Sequence, residues 1–90
     1  MFTWDQAKRQ ENLRKHGIDF ADRPVLFDGF TLTAEDNRQA YGEQRFVTLG
    51  LLHGAVVAVV HTERRGALRI ISARKATRYE IHSFFRQVPD

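Results

Sequence analysis

Between His61 and Lys75 the chain sets one histidine and five cations, Arg64, Arg65, Arg69, Arg74 and Lys75, around the apolar pair Ile70-Ile71. A strand that only had to bury itself would not need Arg69 and Arg74 on its flanks. Guanidinium groups held on a rigid strand can make bidentate contacts to phosphate. Arg64, at a hairpin end, can reach further out. His61 is the first choice for proton transfer, because an imidazole with an ordinary pKa of about 6.5 takes or gives a proton near neutrality. The other reading of His61 is a satisfied histidine packed between Phe46 and Ile70. The chemistry that fits the set is phosphodiester binding with movement of its protons.

Other residues could join them. Lys15-His16 ends a first helix, where cations suit the helix dipole, so they are either capping groups or part of a site. Arg74, Arg78 and His82 fall at i, i+4 and i+8 with Lys75 beside them, as a solvated row or a phosphate track. Glu80 is a general base or an ion-pair partner of Arg78, Arg69 or Lys15. Trp4 could stack on a base or anchor the first strand in the core. Lys8, Arg9 and Lys15 weakly guide a phosphate backbone or do nothing specific. The four histidines are scattered without close carboxylates, so no metal set is expected. Cleavage of a phosphodiester by a hydroxyl of the substrate itself would not need one.

Composition sets the frame. Ninety residues, 42% hydrophobic and 28% charged, are expected to form one globular domain spanning 1–90. The net charge is only +3, although the pI is about 9.8, so distribution says more than excess. Arg64–Lys75 holds five cations and no acid. The chain has no Cys, which excludes disulfides and thiolate metal sites. The longest apolar run, Ala55–Val60, is far short of the roughly 20 residues of a membrane span. Met1–Gln10 does not read as a signal peptide, so a cytoplasmic location is the default.

The elements that must position these residues read as an α+β domain. Met1–Trp4 is a short edge strand. Asp5 caps a helix over Gln6–His16 that Gly17 ends, weakly amphipathic through Ala7, Gln10 and Leu13, with Lys8, Arg9, Asn12, Lys15 and His16 outside. A short helix over Ala21–Phe27 buries Phe20, Val25, Leu26 and Phe27. Strands follow at Phe30–Ala34, Glu43–Leu52, Ala55–Glu63 and Ala67–Arg74, with a polar loop at Asp36–Gly42. A last helix spans Ala76–Arg86.

His53-Gly54 and Arg65-Gly66 have the spacing of two-residue hairpin turns. Leu52 then pairs with Ala55 and Arg64 with Ala67. Arg45, Thr62 and Arg69 share one rung; Phe46, His61 and Ile70 share the next. Strict alternation puts Val47, Leu49, Leu51, Val56, Ala58, Val60, Ile71 and Ala73 on one face, with Arg45, Arg64 and Arg69 at its end. That face is expected to lie under the helices. His61, Ile70, Ser72 and Arg74 fall on the other, expected to be open.

Several blocks also resemble a known family. They are Phe2-x-Trp4-Asp5-x-x-Lys8, Asn12-x-x-Lys15-His16-Gly17-Ile18-x-Phe20, Val25-x-Phe27-Asp28, Glu43-x-Arg45-Phe46-x-x-Leu49-Gly50, His61-Thr62-x-Arg64 and Arg69-Ile70-Ile71-Ser72-Ala73-Arg74-Lys75-Ala76-Thr77-x-x-Glu80. In order and spacing the chain resembles the BrnT toxins. The resemblance implies a RelE-like fold, with an antiparallel meander against two N-terminal helices and a C-terminal helix. It implies a ribonuclease toxin of a type II toxin–antitoxin pair, without a cofactor. The implied partner is a BrnA-type ribbon-helix-helix antitoxin, through which the complex would bind promoter DNA. Catalysis would then fall to His61, Arg64, Arg69, Arg74, Lys15, His16 and Glu80, and RNA binding to Trp4, Lys8, Arg45, Lys75, Arg78 and Tyr79. The family often has Tyr four residues after this Glu, where this chain has Phe84; either Tyr79 substitutes or no tyrosine takes part. The competing class is a non-catalytic RNA- or protein-binding module acting only within a repressor complex.

Overall fold

A computed structural model describes residues 1–37 and 40–89. The order is β1 (Phe2–Trp4), α1 (Gln6–His16), a 3₁₀ turn (Phe20–Asp22), α2 (Arg23–Asp28), β2 (Leu32–Glu35), β3 (Phe46–Leu52), β4 (Ala55–Arg64), β5 (Ala67–Lys75) and α3 (Arg78–Gln87). The class is α+β, as the pattern of elements predicts. Of the polar loop read at Asp36–Gly42, residues 38 and 39 lie outside the described residues.

Local chemistry explains most of the boundaries. Asp5 accepts from the N–H groups of Ala7 and Lys8, and Gly17 ends α1 in the left-handed region with its N–H on the Leu13 carbonyl. Both hairpin turns have two residues at positive φ, 50° and 83° at His53-Gly54 and 51° and 78° at Arg65-Gly66. This type I′ geometry matches the twist of the flanking strands. Thr77 and Glu80 form a reciprocal capping box at the start of α3.

The sheet order is β1-β5-β4-β3-β2. It is mixed, not the purely antiparallel sheet expected, because β1 runs parallel to β5 (Phe2↔Leu68, Trp4↔Ile70). The pairs Leu52↔Ala55, Phe46↔His61, His61↔Ile70, Thr62↔Arg69 and Arg64↔Ala67 match the expected register. Arg45 does not join its rung: β3 begins at Phe46, and the Thr62 hydroxyl donates to the carbonyl of Gln44 instead.

Two expectations about faces fail, for one reason each. Ile71 is an extra residue, since His61 pairs with Ile70 but Val60 pairs with Ser72. This bulge shifts the alternation by one. Ser72 and Arg74 therefore share a face with Arg69, opposite Val60, Ala58 and Thr62. The second concerns cover. The His61 face is not open: Val57, Val59, Ile70 and Ala73 pack there with Ile18, Phe20 and Leu26 into the main core. Gly50 makes the approach possible, because a Cβ there would lie 2.8 Å from the Leu26 side chain. Val25, expected inside, is instead exposed. The other face is covered at one end by α3, where Phe84 packs on Leu49, Val56 and Ala58.

Helix α1 is also rotated from the expected orientation. Ala7, Gln10 and Leu13 are exposed, whereas Asn12 is buried and Arg9 and His16 are half-buried. The helix has no apolar stripe to bury, so hydrogen bonds decide its seat. The Asn12 amide donates to the carbonyls of Ile18 and Ala73 and accepts from the Ala73 N–H. Its side chain thus completes the edge of β5 beyond the last β1 pair. Arg9 adds a bidentate pair to Asp19 (2.6 and 3.0 Å).

Candidate functional site

The bulge and the Asn12 clasp leave two sets of cations on neighbouring elements, β5 and the end of α1. β5 contributes Arg69 and Arg74, with Ser72 between them. Pairing to Thr62 and Ala58 separates the two arginines by about 13 Å along the strand. α1 contributes its C-terminal turn, with Arg14, Lys15 and His16 placed where the helix dipole favours positive charge. A shallow cleft between the two elements is lined by Lys8, Glu11, Asn12, Lys15, His16, Ile71 and Ser72.

The arginines differ in their partners. Arg74 grips Glu80 with two bonds, 2.7 and 3.0 Å. Glu80 also accepts from the Thr77 N–H, and the Arg74 bond, first among these contacts, holds its pKa below the usual carboxylate range. An ionised, doubly engaged carboxylate is a poor general acid and a constrained base. Arg64 pairs with Glu43 (3.2 Å), which also meets Arg45 (3.4 Å), while Arg45 lies 4.1 Å over the Tyr41 ring. Arg69 is half-buried, and among the described residues no carboxylate or hydrogen bond engages its side chain. Among the described residues no Arg69 nitrogen is both buried and without a hydrogen bond, so water reaches the guanidinium. An arginine with no carboxylate partner on a rigid strand can take a phosphate in its place.

His61 is not brought to these cations. It lies on the opposite face, 7% exposed, with Nε2 2.7 Å from the Thr48 hydroxyl, which is itself 2.7 Å from the Thr33 hydroxyl. Its ring stacks on Phe46 at 5.8 Å and meets the edge of Phe27 at 6.3 Å. Burial pushes its pKa down, opposed in part by Glu63. Its accessible side faces a recess with Met1, Phe2, Glu63 and Leu68, not the arginines.

The remaining expected contacts divide. Lys8 lines the α1–β5 cleft. Trp4 is a packing residue, edge-on to Phe20 at 6.4 Å and beneath the Arg23 guanidinium at 5.0 Å. Lys75, Arg78 and Tyr79 are exposed, the last two on α3. Phe84, at the position of the family's frequent Tyr, is fully buried and so presents nothing to a ligand. Sequence reasoning missed Asn12 and Ser72. The signal for Asn12 was a helix without an apolar stripe, which must be tied down by something polar. Nothing in the sequence marks the bulge that turns Ser72.

The fold is a small basic α+β domain with an arginine on its sheet that no carboxylate pairs among the described residues. The family model for the ribonuclease toxin BrnT of type II toxin–antitoxin systems matches residues 4–80, and the chain belongs to that family. Its family therefore implies an RNA target and an antitoxin partner. No curated protein matches the chain. Among the described residues no helix is long and apolar enough to cross a membrane, and no group of three or more His, Asp or Glu is placed to hold a metal ion.

Proposed function

We propose that the chain is a metal-independent endoribonuclease whose phosphate site is the Arg69 face of β5. The half-buried Arg69, which no carboxylate pairs among the described residues, carries this reading. The substrate strand lies along β5, with Arg69 on the scissile phosphate, Ser72 and Arg74 on the flanking backbone, and Lys8 and Lys15 closing the other side. The 2′-oxygen attacks phosphorus, the bond to the 5′-oxygen breaks, and a 2′,3′-cyclic phosphate and a 5′-hydroxyl result. His16 takes the 2′-OH proton, and the Lys15 ammonium supplies one to the leaving oxygen. Arg69 offsets the charge that builds on the phosphorane. Cleavage in the cytoplasm inhibits translation and growth until a BrnA-type ribbon-helix-helix antitoxin binds, and promoter DNA is reached only through that antitoxin. A RelE-like arrangement of the sheet is part of the same proposal.

The test is incubation of purified protein with total RNA in excess EDTA, beside Arg69→Ala and His61→Ala. Cleavage to 2′,3′-cyclic ends by the wild type and His61→Ala, and not by Arg69→Ala, is the expected result. Retained RNA binding without cleavage would replace it with the non-catalytic module.

A further inference from the structure

The exposed side of α3 does not fit the RNA site. Phe84 is buried, yet Ile81 and Phe85 on the same helix are 39% and 53% exposed. They stand between two adjoining grooves. One runs along Arg78, His82 and Arg86, and the other along Ala55, Val56 and Lys75 at the β3–β4 turn. Leu51, paired with Val56 and 41% exposed, extends the apolar surface along the sheet. No acidic side chain lines either groove, and among the described residues Lys75, Arg78 and Arg86 have no ion-pair partner.

From this pattern we infer that the Ile81–Phe85 ridge is the docking site for an amphipathic acidic segment of the antitoxin. The segment's apolar side chains fill the two grooves, and its carboxylates meet Lys75, Arg78 and Arg86. Charge complementarity selects the occupant. A second copy of this chain would bring cations against cations, which opposes association. A nucleic acid would meet the cations but would leave the apolar floor without a match, whereas protein interfaces centre on such apolar anchors inside a charged rim. The inference rests on the chain being the toxin of a toxin–antitoxin pair, but not on where RNA is cut.

The experiment co-expresses the chain with the full-length antitoxin encoded beside it and measures the dissociation constant of the purified complex. Four forms are compared: wild type, Ile81→Ser/Phe85→Ser, Arg78→Glu/Arg86→Glu and Arg69→Ala, each checked for an unchanged circular dichroism spectrum. Ile81→Ser/Phe85→Ser should weaken the complex by at least about 30-fold, the loss expected from truncating an interface hot spot, while RNA cleavage by the free protein is kept. Arg78→Glu/Arg86→Glu should weaken it independently and flatten its salt dependence. Undiminished affinity in both would overturn the inference. So would loss of RNA cleavage with intact antitoxin binding in the Ile81/Phe85 variant, which would give the ridge to RNA. Weakening by Arg69→Ala alone would move the dock to the phosphate face. A wild-type chain that forms no complex would overturn the pairing itself, while its cleavage assay would still report on the site.

Discussion

On one face of the sheet a histidine is buried beneath a helix and hydrogen-bonded to a threonine; on the other an arginine is half-buried with no carboxylate paired to it among the described residues. Both are polar side chains on a partly covered sheet, but among the described residues only the first has a hydrogen-bond partner inside the protein. The difference teaches that residue type alone is a poor guide to a site. An imidazole has the better intrinsic chemistry for moving protons, yet unmet charge marks where a ligand goes.

Arg69→Ala probes that contrast most strongly. It should lower RNA cleavage by about 10²–10³-fold, the usual loss of a group that stabilises transition-state charge, with thermal stability unchanged. His61→Gln should spare cleavage the loss of about 10²–10⁴-fold that removal of a general base brings; a loss of that size would reverse the roles of the two faces. The same variant reports on burial. Because the folded protein holds the His61 pKa below its ordinary value, the unfolded chain binds the proton first as pH falls. Stability should decline as pH drops below about 6.5, and His61→Gln should remove that slope in urea titrations.

Asn12→Ala tests whether α1 must be clasped to β5. It strands the Ala73 N–H and two carbonyls, so a loss of about 3 kcal/mol in denaturant unfolding is expected, together with weaker cleavage. Gly50→Ala presses on the closed face alone. It should cost about 1–3 kcal/mol through overpacking against Leu26, without touching Arg69. The smallest effect belongs to the Arg9–Asp19 pair. Asp19, held at a pKa of about 2 first by Arg9 and then by the Ala21 N–H, adds stability that is present above about pH 4 and lost as pH falls toward 2. Acid unfolding of Asp19→Asn should lack that step.

Much of this architecture was legible from local signals. The caps at Asp5 and Gly17 and the two Gly-containing turns set element ends and register almost residue by residue. The faces were not legible, because one unpaired residue at Ile71 breaks an alternation that the sequence alone presents as continuous. The orientation of α1 was hidden for another reason: its anchor is a side-chain amide, which hydropathy ranks as surface. For the site, the cations of β4 and β5 could be picked out by type. Which of them lacked a partner depended on Glu43 and Glu80, whose positions only the fold supplies.

The Asn12–Ala73 clasp has a consequence for how the molecule assembles. The β3–β4–β5 meander closes over two-residue turns, whereas the clasp joins positions 61 residues apart. The entropy of closing such a span makes it the later and more easily lost contact. An intermediate holding only the meander would lack the cleft that Lys15 and His16 form with Ile71 and Ser72, so that cleft is the last part of the molecule to be assembled and the first to be lost.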